Sequence, residues 1–471
     1  MRDPSVQKPY VAAEAAHAYA WAYEHLLFPT WQRVVRGRTI EDHLEGLQLS
    51  QWQTRERIDA LQVRSLKRLL QHAGENVPYY RELFAKLHFD PRGVTSAKDL
   101  GALPILTRDI VRERFEDLVD PAHRATNIHK GTSGTTGVPM KIEYCNESEA
   151  WRQAVRLRAY QWGGYHIGLP TLHYWAQPST VPSGMAAAKV ALDRALRREV
   201  YVDAIPHDDA SLRHTAALIR RIKPHIIIGY TQATALLGRF ILDHELRDWK
   251  DIPVICGAEG VLPSDREAIE RAFGPAFNTY GSRETMLIGA ECEVHDGLHL
   301  SEENLVVEIA GEAGQATAHG ESGDVVVTDL HNFGMPFIRY ANGDVAAMST
   351  ESRCRCGRGL RKLHHIEGRR CDTLRTKSGA PLPGMVFIAL LANKDAIVRQ
   401  FQVRQTPSGK VTLKVVRGSD WSEPRFERIV SRLRAYLGGL PLVVQFVETI
   451  APNASGKRRP IMIVHSEESA A

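Results

Sequence analysis

The stretch Gly131-Thr132-Ser133-Gly134-Thr135-Thr136-Gly137-Val138-Pro139-Met140-Lys141 concentrates the most chemistry in the fewest residues. Glycines at every third position let a backbone approach a ligand closely and take positive φ. The hydroxyls of Thr132, Ser133, Thr135 and Thr136 sit among exposed N–H groups, and such a loop can wrap phosphate oxygens. Lys141 adds one positive charge. A plain Gly/Ser/Thr linker would need neither the regular glycines nor the Pro139 and Lys141 that follow. A second concentration is Cys292, His295 and His299, with Cys354-Arg355-Cys356 further on. Thiolates and an imidazole suit a closed tetrahedral zinc site. Spacing alone leaves His295 and His299 as alternatives.

Elements of two kinds must position these groups. In the first hundred residues Leu61, Val63, Leu66, Leu69, Leu70 and His72 recur at helical spacing, with Arg64, Lys67 and Arg68 opposite. Val77-Pro78 ends that helix, because the residue before proline avoids the helical region. From Ala102 to about Leu330, short apolar runs alternate with helical patterns: His225–Gly229, Val254–Gly257, then a helix over Pro263–Phe273. Fully apolar strands between helices predict a parallel sheet covered on both faces. After Asp296 the pattern turns to strands, Glu302–Ile309 and Gly323–Thr328. The last hundred residues predict a hairpin, Gln400–Gln405 and Lys410–Val416, then a helix Glu423–Tyr436 and a strand Leu442–Thr449.

Composition bounds the rest. The chain has 471 residues, is 43% hydrophobic and 24% charged, and carries a formal charge of +5. That excludes a disordered or fibrous chain and supplies no global drive toward nucleic acid or anionic membrane. No apolar run reaches the length of a spanning helix. The first twenty residues contain acids and no apolar core of a signal peptide. Six cysteines are too few for a disulfide framework, so a cytoplasmic protein is expected. Neither a Walker A pattern nor a GxGxxG fingerprint occurs.

The loop at Gly131–Lys141 resembles the phosphate loop of the adenylate-forming (AMP-binding) enzymes, [ST]-[SG]-G-[ST]-T-G-x-P. Most similar is the phenylacetate–CoA ligase and CapK branch. His72–Arg81 and Leu103–Arg108 look like that branch's N-terminal region, and later motifs follow in family order over nearly the whole chain. By this resemblance Thr132, Ser133, Gly134, Thr135, Thr136, Gly137 and Lys141 would bind the ATP phosphates. Gly257-Ala258-Glu259 resembles the turn lining the adenine and acyl pocket. Tyr280-Gly281-Ser282-Arg283-Glu284 resembles Y-G-x-T-E, in which the tyrosine packs near adenine and the glutamate helps hold Mg²⁺. Arg283 replaces a threonine near the α-phosphate. Arg339–Asp344 resembles R-Y-x-[TN]-G-D, whose aspartate, here Asp344, accepts hydrogen bonds from the ribose hydroxyls. Gly368–Asp372 resembles G-R-x-D-D, placing Arg369 toward the nucleotide and Asp372 at a hinge, with Cys371 replacing the first aspartate. Ser455–Arg459 resembles the C-terminal G-K loop, whose lysine, here Lys457, stabilises charge during adenylation. C-x6-H with C-x-C resembles the structural zinc set of some relatives, here Cys292, His299, Cys354 and Cys356.

The resemblance implies an α/β body with helix-covered parallel sheets and a small β-rich part, followed by a mobile α+β lid. The expected division is 1–371 (lead-in 1–100, core 101–295, β-rich 296–371) and lid 372–471. It implies ATP-dependent activation of a carboxylic acid to an acyl-adenylate, with Mg²⁺, structural Zn²⁺ and CoA as acyl acceptor. An amine, a hydroxyl or a carrier-protein thiol is the alternative acceptor. A third class, a zinc-stabilised nucleic-acid binder, draws on Arg353, Arg355, Arg358, Arg361, Lys362, Arg369, Arg370, Arg375 and Lys377. That segment lacks interleaved aromatics, so a solvated basic face is preferred and no nucleic-acid partner is expected. Trp162, Tyr165, Trp175, Tyr230, Ala233 and Leu237 are candidates for the acid pocket or for plain core. Oligomeric state is left open.

Overall fold

A computed structural model describes residues 14–35, 37, 39–131, 140–175, 184–204, 208–311, 314–351, 353–369, 374–377, 381–382, 387, 390–391, 397–451 and 460–464. The chain forms two compact units. The first comprises 1–171, 184–199 and 277–366; the second comprises 172–183, 200–276 and 367–471.

In the first unit the helix Arg55–Asn76 buries Ile58, Gln62, Leu66, Leu69, Leu70 and Ala73. That stripe is rotated from the expected one: Leu61 is exposed, and Gln62 lies inside. Gln62 is tolerated because its amide donates to the carbonyls of Glu302 and Leu305. Val77 ends the helix in extended backbone, and Pro78 opens the next one, Pro78–Leu87. The strands run in the order Leu305–Ala310, Ser322–Asp329, Tyr340–Met348, Lys362–Arg369, Leu298–Leu300, Met286–Ala290 and Ala276–Ser282. The ladders resolved among them are antiparallel. The β-rich character therefore begins near residue 276, earlier than the Asp296 read from sequence. Short runs buried on both faces look alike in parallel and antiparallel sheets, so composition did not reveal the change.

In the second unit Ile226–Tyr230 and Val254–Gly257 pair in parallel, as fully apolar strands should. Helices Thr231–Asp243 and Pro263–Ala272 share their core through Leu237, Ile241, Ile269 and Ala272. They approach closely at Gly238, where a Cβ would lie 2.9 Å from the Ala268 carbonyl oxygen. A separate sheet orders Leu442–Phe446, Val411–Arg417, Val398–Gln405 and Ile461–Ile463. Its hairpin turns at Gly409, with φ of +86°, and its helix spans Glu423–Tyr436. Among the described residues no helix is long and apolar enough to cross a membrane.

Candidate active site

The proposed phosphate loop is closed at its base by an antiparallel pair. Ile128–Gly131 runs against Lys141–Tyr144 so that Gly131 faces Lys141. Lys141 is exposed. Thr132, Ser133, Gly134, Thr135, Thr136 and Gly137 lie outside the described residues.

Strand Ala276–Ser282 delivers Tyr280, Gly281 and Ser282 to a tight turn, and Met286–Ala290 returns beside it. Glycine at 281 is dictated by space: a Cβ would lie 1.9 Å from the Met286 carbonyl oxygen. Ser282 Oγ caps the turn by accepting the Thr285 N–H at 3.2 Å. Arg283 then donates to the Gly131 carbonyl at 2.8 Å, joining segments 152 residues apart. The guanidinium expected at the α-phosphate is thus engaged with the carbonyl of Gly131, the last residue of strand Ile128–Gly131.

Glu284 is buried, and Arg108 Nη2 donates to its Oε1 at 3.0 Å. The Tyr340 hydroxyl donates more weakly to the same oxygen at 3.4 Å. Burial pushes that hydroxyl well above the ordinary tyrosine range. Arg152 fixes the backbone of the same residue. Its Nη2 donates to the Glu284 carbonyl at 2.6 Å and to Asp329 Oδ2 at 2.9 Å. Its Nε donates to Ser148 Oγ, and its plane lies over the Tyr144 ring. Sequence reasoning missed both arginines. Arg108 lay in a segment already quoted for its resemblance, whereas Arg152 carried no motif.

Asp344 is also buried. Its Oδ2 accepts from the Tyr280 hydroxyl at 2.8 Å and from Asn342 Nδ2 at 3.1 Å. The Asp344 N–H donates to Asn342 Oδ1, and Gly343 turns with φ of +85°. An acceptor-only carboxylate is thereby held rigidly beside a tyrosine ring. In the second unit Gly257 ends its strand, and Ala258 takes a φ of +68°. Glu259 Oε2 accepts the Gln232 N–H at 3.1 Å, and its carbonyl accepts from Thr231 Oγ1. That turn is so fastened to the start of helix Thr231–Asp243. Arg369 ends the strand Lys362–Arg369. Asp372 and Lys457 lie outside the described residues.

The candidate metal centre is complete within the first unit. Donor atoms of Cys292, His299, Cys354 and Cys356 all lie within 4.8 Å of one another. Two sulfurs bound at 2.3 Å to one tetrahedral zinc would stand about 3.75 Å apart. Cys292 Sγ and Cys354 Sγ are 3.9 Å apart, and Cys356 Sγ is 3.3 Å from His299 Nε2. His299 Nδ1 lies 3.2 Å from the Leu360 carbonyl, the contact that would protonate Nδ1 and leave Nε2 free to ligate. Hydrogen bonds from Cys292 and Cys354 hold the Cys356 thiol well below its ordinary range, favouring a thiolate. His295, the alternative, turns instead to Glu291 Oε2 and the Phe277 ring.

Trp162 packs beside this candidate centre. Its ring meets His299 edge-on, and its Nε1–H donates to Gln51. Tyr165 is buried against Glu199. The Trp175 and Tyr230 rings pack tilted, with centroids 4.1 Å apart, in the second unit, where Ala233 and Leu237 are core. Within the basic segment Arg358 pairs with Glu293, Arg361 with Asp59 and Glu302, and Lys362 with Asp296 and Glu351.

No family model matches the chain. A phenylacetate–coenzyme A ligase of Thermus thermophilus is 28% identical over 393 residues, covering 80% of this chain and 84% of the relative. Protein CapK of Staphylococcus aureus is 23% identical over 405 residues, covering 85% and 88%. Among solved structures, a 2-hydroxyisobutyryl-CoA ligase in its postadenylation state, bound to an acyl-adenylate, superposes with a TM-score of 0.71 at 18% identity. It covers 89% of this chain and 92% of its own, and that likeness shows the fold. Architecture and sequence likeness together define an enzyme of the adenylate-forming superfamily. Within it the chain is similar in sequence to the phenylacetate–CoA ligases and to CapK.

Proposed function

We propose that the protein joins a carboxylic acid to CoA through an acyl-adenylate. A carboxylate oxygen attacks the α-phosphorus of ATP, and the bond to the β-phosphate oxygen breaks to release pyrophosphate. The CoA sulfur then attacks the acyl carbon, AMP leaves with its bonding electron pair, and the thiol proton passes to solvent. The observation carrying this reading is the junction of the loop base, the Tyr280–Glu284 turn and the Asn342–Asp344 turn in one unit.

Backbone N–H groups of 131–137, with Lys141, would hold the phosphates, and Asp344 would accept the ribose hydroxyls beside Tyr280. Glu284 offers Mg²⁺ one hard carboxylate oxygen, the kind of partner that cation takes alongside phosphate and water. When bound, Mg²⁺ neutralises phosphate charge. Arg108 holds the Glu284 carboxylate in one orientation, and Arg152 holds its backbone. Lys457 would stabilise charge at the carboxylate and α-phosphate from the lid, 372–471, turning about Asp372. Gly257-Ala258-Glu259 and Arg369 would complete the nucleotide side.

Cys292, His299, Cys354 and Cys356 would hold a structural Zn²⁺, and their sulfur spacing supports that reading. The cytoplasm would keep these thiols reduced. Phenylacetate, the acid in the relatives' names, is the first substrate to try. Incubation with ATP, Mg²⁺, CoA and a panel of aryl and alkyl acids should yield AMP and an acyl-CoA mass. Formation of ADP, or of AMP without a thioester, would overturn the assignment of CoA as acceptor.

A further inference from the structure

A second cluster of metal-ligating groups lies outside the nucleotide site and the thiolate centre. His72, on the helix Arg55–Asn76, faces Asp120 and His123 in the turn that leads to strand Ile128–Gly131. His72 Nε2 is 3.1 Å from Asp120 Oδ2, and His123 Nδ1 is 2.7 Å from the same oxygen. The Phe333 carbonyl oxygen adds a fourth donor, 3.0 Å from His72 Nε2. Asp120 is deeply buried, and its other oxygen accepts the Ala122 N–H at 2.9 Å. That bond aims Oδ2 at the two imidazoles.

We infer that His72, Asp120 and His123 form a site for a divalent transition cation, with the Phe333 carbonyl as an additional ligand. The donor spacing supports a coordination unlike that of the thiolate centre. Ligand atoms bound at 2.0–2.1 Å and at right angles stand about 2.9 Å apart, against about 3.3 Å in a tetrahedron. The contacts of 2.7, 3.0 and 3.1 Å cluster around the right-angle value. Two imidazoles and one carboxylate, with further positions filled by carbonyl and water, suit a five- or six-coordinate ion. His72 and His123 are only partly buried, which provides a path for the ion.

Without a cation the same atoms form ordinary hydrogen bonds. His72 Nε2–H donates toward Asp120 and Phe333, and Nδ1 accepts from Asn76 Nδ2 at 3.3 Å. Binding needs the other tautomer of each histidine. For His72 the proton moves to Nδ1, where a rotated Asn76 amide presents its oxygen; for His123 it moves to Nε2. Protons balance, because each ring only moves its N–H from one nitrogen to the other. The cation would pin the turn 120–127 to the helix. That turn is already tied by Asp120 N–H and Asn127 Nδ2 to the Gly334 carbonyl, directly ahead of the strand that begins the 131–141 loop.

Co²⁺ titration of the full chain separates this site from the thiolate centre, because only the latter produces sulfur-to-metal charge-transfer absorption in the near ultraviolet. Wild type should bind one Co²⁺ with that band and a second with weak visible bands alone. His123→Ala should lose the second equivalent, weakening it by more than the roughly 10–100-fold of an outer-shell loss, and keep the charge-transfer band. His72→Gln should behave alike, and unchanged circular dichroism in either variant excludes misfolding. Failure of wild type to take up non-thiolate Co²⁺, or uptake by both folded variants equal to wild type, would overturn the inference. None of these readouts depends on the adenylation reading.

Discussion

Replacing Arg152 with Met removes the group that links Glu284, Asp329 and Ser148. The Arg152–Asp329 pair is almost fully enclosed, with side-chain exposures of 4% and 0%. Losing one partner of such a pair leaves a buried charge and costs about 3–5 kcal/mol. Burial already pushes the Asp329 carboxyl above its ordinary 3.8, and Arg152 opposes that rise. With Arg152 gone the folded value climbs further. Between the unfolded and folded values the native state then binds more protons, so stability must fall as pH rises through that window. Urea unfolding of Arg152→Met at pH 5 and pH 8, against wild type, measures this. The expected loss is about 3–5 kcal/mol at pH 8 and smaller at pH 5. Adding Asp329→Leu should recover much of it, because the unpaired charge is gone. A loss under about 1 kcal/mol, or one that does not grow with pH, would refute the argument.

Three further outcomes follow from the proposed function. Glu284→Gln should lower carboxylate-dependent exchange roughly 10²-fold and raise the Mg²⁺ concentration needed for half-maximal rate; an unchanged Mg²⁺ dependence would remove Glu284 from the metal. Cys354→Ser should abolish stoichiometric zinc, read by elemental mass spectrometry, and lower the thermal transition. Wild-type protein prepared free of chelators yet clearly substoichiometric in zinc would defeat that centre. Lys457→Ala should slow adenylation roughly 10²-fold or more while sparing conversion of a supplied acyl-adenylate; equal losses in both half-reactions would reject the lid's division of labour.

Local signals made part of this architecture legible. The helix Glu423–Tyr436 has the bounds read from sequence, and Pro424 suits its first turn. Strand Val254–Gly257 was equally plain, a short apolar run between turn residues. Gly281 belonged to a motif, but its reason, the Met286 carbonyl, required the folded turn. Long-range pairing was the hidden part. Arg108 reaches a carboxylate 176 residues away and Arg152 a carbonyl 132 residues away, and nothing near either residue announces its partner. The choice of His299 over His295, left open by spacing and made by the resemblance, agrees with the strand register, which sets His299 opposite Lys362. Leu61, read as part of the buried stripe, is exposed, while Gln62 is buried and donates to the carbonyls of Glu302 and Leu305.

The central claim is that a carboxylate attacks ATP before any acceptor takes part. Exchange of labelled pyrophosphate into ATP, measured with a panel of carboxylic acids and no CoA, tests it most directly. At least one acid, phenylacetate or a chemical neighbour, should drive exchange, and adding CoA should then yield AMP and a thioester. No exchange with any acid, in protein shown to bind Mg·ATP, would contradict the account and leave a nucleotide-binding protein without adenylating activity.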